Sequence, residues 1–126
     1  MRRVLDKSRL FSAEEVVHLA LPVRMSFEAL RTGRGTPADY QELALAINTS
    51  LVRAMAIDPT AATAVGRAAA ALTRCVERYT RTGKFGFDGP GIGDIAEAID
   101  FHDQLLQNST PELMLNAGLI AIKGHP

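Results

Sequence analysis

The stretch that most constrains the fold runs from Pro59 to Thr82 and reads PTAATAVGRAAAALTRCVERYTRT. Alanine is the strongest helix former, and a proline fits the first turn of a helix without loss. The apolar residues recur at steps of four and three, which is typical of a helix with one face on a core. They are Ala61, Val65, Ala68, Leu72, Cys75 and Tyr79. The pattern predicts a long central helix from about Pro59 to Thr82.

The other face of this helix is basic. Four arginines fall within a sector of about 60° on the helical wheel: Arg67, Arg74, Arg78 and Arg81. One interpretation is a solvated face with surface ion pairs, each contributing less than about 1 kcal/mol. The other is a binding surface for an anionic partner, and the sequence leaves both open.

Two signals define the first predicted helix, in the first third of the chain. Ser12 followed by Glu15 forms a capping box, which predicts a helix beginning at Ala13. Pro22 lies inside the apolar run that follows and lacks a backbone donor. We therefore expect a break or a sharp kink there, and a helix end near Gly33.

Further start signals complete the helical pattern. Thr36 and Pro37 predict a helix that continues to about Ile57. Its predicted core face consists of Tyr40, Leu43, Ala44, Ile47, Leu51 and Met55. Helical spacing returns between residues 92 and 107, and Pro111 begins a last helix. The sequence therefore predicts an all-α fold, a single-domain bundle of five or six helices covering residues 1–126, with the Pro59–Thr82 helix the longest.

The glycine-rich stretch KFGFDGPGIGD, residues 84–94, interrupts the helices. Its glycines predict a structured loop, and Phe85 and Phe87 alternate as in an extended segment held by aromatic rings. A phosphate-binding loop needs a following Lys-Ser or Lys-Thr pair, which this stretch lacks, and Asp94 would repel the phosphate. We interpret the segment as a turn between two helices.

The composition is that of a protein with no net charge and a single cysteine, which stays reduced in the cytoplasm. The chain has 126 residues with 14 basic and 14 acidic side chains, so its net charge is zero. Residues 1–11 form a predicted loosely ordered basic arm. The lone Cys75 lies on the apolar stripe and suits a cytoplasmic protein, and no apolar run is long enough to cross a membrane. We expect a cytoplasmic protein that does not bind membranes.

No catalytic, cofactor or metal constellation is evident. His102 falls on an apolar stripe, as expected of a core histidine, and no Cys or second His stands at metal-ligand spacing. Asp94 and Glu97 are first-turn acids favoured by the helix dipole rather than an acid–base pair. We therefore expect no enzymatic activity, no cofactor and no metal.

The last predicted helix is unusually apolar. Its sequence LMLNAGLIAI, residues 113–122, has a single polar side chain. A helix this apolar needs to be covered on most sides. We expect it to dock on the core or on another subunit, so a homo-oligomer is possible.

Three segments resemble short helical proteins of unknown function from proteobacterial phages and prophages. They read LALPVRMSFEALRTGRGTPADYQELALAINTS, RCVERYTRTGKFGFDGPG and IAEAIDFHDQLLQNSTPELM. The shared landmarks are Pro22, Gly33, Pro37, Asn48, Arg78, Lys84, Gly86 and Leu106. The likeness covers most of residues 19–117. It implies a mobile-element setting and no particular mechanism.

Two functions follow as hypotheses. The first is a non-enzymatic helical interaction protein of a mobile genetic element that binds or inhibits a host or phage protein. The alternative is a transcriptional regulator that binds nucleic acid through the basic helix face, although the zero net charge is unusual for that class. The candidate partner-binding residues are Arg67, Arg74, Arg78, Arg81, Lys84, Phe85 and Phe87.

Overall fold

A computed structural model of the protein describes residues 9–123, and these form five α-helices joined by short connections. The helices are α1 (Ala13–Arg31), α2 (Pro37–Ile57), α3 (Pro59–Thr82), α4 (Gly89–Asn108) and α5 (Pro111–Lys123). The described part contains no strand. The all-α bundle is confirmed, and α3 is its longest helix, with the predicted bounds.

The start of α1 is fixed by its capping box, as the sequence predicts. The Ser12 hydroxyl accepts from the Glu15 N–H at 3.1 Å, and the Ser12 N–H donates to the Glu15 carboxylate at 2.7 Å. Arg9 donates to the same carboxylate at 2.9 Å. The Arg9 guanidinium, together with the Ser12 N–H, lowers the pKa of Glu15 to about 2. Residues 1–8 of the predicted basic arm, which spans residues 1–11, lie outside the described part of the chain.

Pro22 does not break α1, which continues from Ala13 to Arg31. The expected break was wrong for a physical reason. A proline removes the hydrogen bond to the carbonyl four residues earlier, here that of His18. Both residues are exposed on the outer side of α1, while Val23 on the inner side packs into the core. Packing of that inner face holds the helix together across the proline.

The connection between α2 and α3 is a single residue, Asp58. Its carboxylate accepts from the N–H groups of Thr60 and Ala61 at 3.0 and 3.2 Å, and so caps α3. Proline occupies the first turn of both α2 and α3, where its missing N–H costs nothing. At its other end α3 stops at Gly83, whose φ of 75° is easily adopted only by glycine.

Helix α4 begins earlier than the sequence suggests. Its N-cap is Asp88, so residues 89–94 of the predicted loop, including the three glycines Gly89, Gly91 and Gly93, belong to the first turns of the helix. Gly91 is buried, and a Cβ added there would lie 3.2 Å from that of Ala71. A small residue therefore lets α4 approach α3 closely.

Helices α1 to α4 enclose the main core. Its buried members are Val23, Leu30, Leu43, Ala46, Ile47, Val65, Ala68, Ala71, Leu72, Ile95, Ala98 and Ile99. A second cluster joins the start of α1, the end of α4 and α5 through Ala20, Leu105, Leu106 and Met114. Met55, predicted to face the core, is instead exposed near the end of α2. Among the helices of residues 9–123, none is long and apolar enough to span a membrane.

Candidate functional site: an apolar groove beside the last helix

An apolar concave surface lies between α1 and α5, and we call it the α1–α5 groove. It encloses about 440 Å³, within the range of roughly 300 to 1,000 Å³ typical of binding pockets. Within the described chain α1 and α5 have no Cα atoms within 8 Å of each other, and both pack on α2. The principal apolar lining residues are Leu19, Leu45, Met114, Leu115, Leu119 and Ile122. The groove therefore exposes aliphatic side chains from three helices.

Three polar residues line the α1–α5 groove: Glu42, Thr49 and His102. His102 is 7% exposed, and within residues 9–123 no hydrogen-bond partner reaches its Nδ1. Burial lowers the pKa of His102, opposed by the negative charge of Asp103. The imidazole is consequently neutral at pH 7.

This burial makes the stability of the protein sensitive to mild acid. Because the folded pKa of His102 lies below that of the unfolded chain, the unfolded state binds more protons as the pH falls. The free energy of unfolding should therefore decrease from pH 7.5 to 5.5, as measured by urea denaturation. We expect His102→Leu to remove most of this decrease, and the exposed His18→Gln to keep it. If the free energy of unfolding depends on pH equally in the parent and in His102→Leu, the decrease does not come from the buried imidazole of His102.

Helix α5 carries exposed aliphatic side chains on both sides of its buried edge. The side that faces the groove contains Leu115, Leu119 and Ile122, which are 50, 47 and 60% exposed. The opposite side contains Leu113 and Ile120, which are also about half exposed. Clusters of this kind on a protein surface are typical of interaction sites.

The basic face of α3 is partly neutralised. The Nε of Arg74 lies 2.7 Å from Oδ2 of Asp88, and that of Arg67 lies 3.6 Å from Oδ1 of Asp94. The Arg74 guanidinium also lowers the pKa of Asp88. Among the remaining candidates, Arg78, Arg81 and Lys84 are exposed and make no ion pair within residues 9–123. The face thus retains an exposed basic end near the C-terminus of α3.

The two candidate phenylalanines pack against the main core of the bundle. The Phe85 ring stacks on Tyr79 with a centroid distance of 4.1 Å and on Tyr40 at 5.6 Å. Phe87 lies 5.8 Å from Phe27. Both phenylalanines are half-buried against the main core. The glycine-rich connection is therefore attached to the bundle by its aromatic rings, as its alternating pattern predicts.

Sequence reasoning did not place the α1–α5 groove or its residues among the candidate sites. The signal that was available is the apolarity of residues 113–122, from which docking on the core or on another subunit was expected. That sequence gives no indication of where α1 lies relative to α5. The candidates chosen from the basic face lie on α3 and the following connection, and none of them lines the groove.

Comparisons with protein-family models, with curated proteins and with solved structures find no match to this chain. The resemblance to phage and prophage proteins therefore stays a prediction.

Proposed function

We propose that the protein is a non-enzymatic interaction module that binds an amphipathic helix of a protein partner in the α1–α5 groove. The observation that carries this proposal is the groove itself, an apolar depression between α1 and α5 that is lined by half-exposed aliphatic side chains. Helix-in-groove docking is a common mode of peptide recognition. The helix comes from a host or phage protein or from a second copy of this chain.

The spacing of the lining residues favours a helix as the occupant. Leu115, Leu119 and Ile122 follow one another at steps of four and three along α5. Rows with this spacing form the ridges that interlock when two helices pack. Leu19 on α1 and Leu45 on α2 supply the facing walls.

The alternative, nucleic-acid binding by the basic face, has less support. Proteins bind duplex or single-stranded nucleic acid mainly through lysine and arginine side chains that neutralise phosphates. Arg67 and Arg74 already face Asp94 and Asp88, which would repel a phosphate near them. A helical partner protein in the α1–α5 groove would not have to displace Asp88 and Asp94 from these arginines.

The proposal can be tested by affinity capture of tagged protein from cells that naturally contain it, with and without nuclease. The test variant is Leu45→Lys, which puts a charge in the groove, and the matched control is Met55→Lys, on the same helix at an exposed site outside it. An unpaired charge in an apolar interface costs more than about 1.4 kcal/mol, so we expect capture to fall at least about tenfold for Leu45→Lys alone.

A photo-cross-linking amino acid at position 45 adds a positional readout, because it should form a protein adduct that the same group at position 55 does not form. Nuclease treatment should leave the capture intact. Equal capture by both lysine variants, or capture that disappears with nuclease, would contradict the proposal.

A further inference from the structure

We infer that the helix that occupies the α1–α5 groove is α5 of a second copy of this chain, so that two copies associate with their α5 helices antiparallel. The inference rests on the proposed function, because it names the partner for the same groove. Three features of the described residues support it: the apolar surface of α5, the self-complementary shape of the site, and the placement of two charges.

The surface of α5 is too apolar for a helix that remains at the edge of a bundle. Of its 13 residues only Glu112, Asn116 and Lys123 are polar. Its buried edge on the bundle is formed by Pro111, Met114, Ala117 and Ala121, while five large aliphatic residues remain about half exposed. Exposed clusters of this size on a single helix mark protein interfaces. A second copy would cover the groove-facing part of this surface.

The site is also complementary to itself. In a two-fold dimer the same patch contacts its own copy, so one chain must offer both the ridge and the groove. Helix α5 offers the ridge through Leu115, Leu119 and Ile122, and this ridge borders the groove that it would help to fill in the second copy. No other partner is needed to explain both parts of the patch.

The charges on α5 favour the antiparallel orientation. Glu112 and Lys123 are eleven residues apart, which places them about 20° apart on the helical wheel and about 16 Å apart along the axis. Their midpoint falls between Leu115 and Ile122, at the centre of the ridge. Turning a second α5 end for end about this centre puts its Lys123 beside Glu112, and its Glu112 beside Lys123. Parallel helices would instead place like charges together.

Sedimentation velocity on the full chain tests whether the groove-facing ridge holds two copies together. We expect the parent to sediment as a dimer, and Leu119→Lys to raise the dissociation constant by at least about 100-fold, because it places a charge in the apolar contact. Ile120→Lys is the matched control, since it changes an exposed aliphatic residue on the opposite side of α5. Its dissociation constant should stay within about threefold of that of the parent.

Charge reversal tests the orientation. Glu112→Lys and Lys123→Glu should each weaken the dimer by about tenfold at low salt, and the double variant should return to within about twofold of the parent. Leu119→Cys adds a positional readout, because its position near the two-fold axis should allow a disulfide between copies. Cys75 is buried and does not compete.

A parent that remains monomeric up to about 1 mM would overturn the inference, because a millimolar interface would then be half assembled. A dimer that Leu119→Lys and Ile120→Lys weaken equally, or that the double charge reversal does not restore, would overturn it as well. The cross-link at position 45 separates this failure from that of the proposed function. If the parent is monomeric and position 45 forms an adduct with a different protein, the dimer is ruled out and the proposed function is not. If position 45 forms no adduct of any mass, both proposals are ruled out.

Discussion

Leu72→Ala is expected to lower the free energy of unfolding by about 2 to 5 kcal/mol, the range found when a buried leucine leaves a cavity. Leu72 is 3% exposed and belongs to the main core formed by α1 to α4. Close packing around it limits how far its neighbours can move to fill the lost volume. Urea denaturation followed by circular dichroism measures the change directly.

Leu21→Ala provides the matched control for this prediction. It removes the same atoms from a helix, but Leu21 is 53% exposed on α1. Its effect should stay within about 0.5 kcal/mol, as for most surface substitutions. If both variants lose the same stability, the loss does not come from a cavity, and the placement of Leu72 at the centre of the core is wrong.

The helices could be predicted because their start signals are local. The capping box at Ser12, the Thr36–Pro37 start, the Asp58 cap and the Gly83 stop each depend on residues within one turn of the helix end. Such signals satisfy the unpaired N–H and C=O groups at the termini without any distant contact. For this reason the start of α1 and the bounds of α2 and α3 agree with those expected from the sequence.

Two local features were misread because a distant contact decides them. Pro22 permits a continuous α1 since the inner face of that helix is packed against the core. Gly91 permits α4 to begin at Gly89, since the absence of a side chain lets the helix approach Ala71. Propensity alone treats both residues as helix breakers. Packing outweighs that preference here.

The α1–α5 groove could not be predicted in the same way. Its walls come from residues as far apart as Leu19 and Ile122, and its shape depends on how α5 lies on α2. Periodicity identifies the apolar faces of helices but not which faces remain uncovered after folding. The basic face of α3 was visible in the sequence with two interpretations open, but the pairing of Arg74 with Asp88 depends on how the following connection folds back on α3.

Phe85→Ala is expected to reduce the free energy of unfolding by about 2 to 4 kcal/mol, less than a fully buried phenylalanine because the ring is only half enclosed. The ring is stacked between Tyr79 and Tyr40 and packs on the main core, so its loss separates the end of α3 from the start of α2. Lys84→Ala, at the exposed neighbouring position, should change stability by less than about 0.5 kcal/mol.

A second substitution at the same position, Phe85→Leu, helps to decide whether Phe85 contacts a partner. Phe85→Leu keeps most of the apolar volume but removes the aromatic stack, so it should fold with a smaller loss of stability than Phe85→Ala. Because Phe85 does not line the α1–α5 groove, capture of a partner by folded Phe85→Leu should equal that of the parent. Loss of capture without loss of folding would instead assign the ring to the interface, and would move the binding site from α5 to the α3–α4 connection.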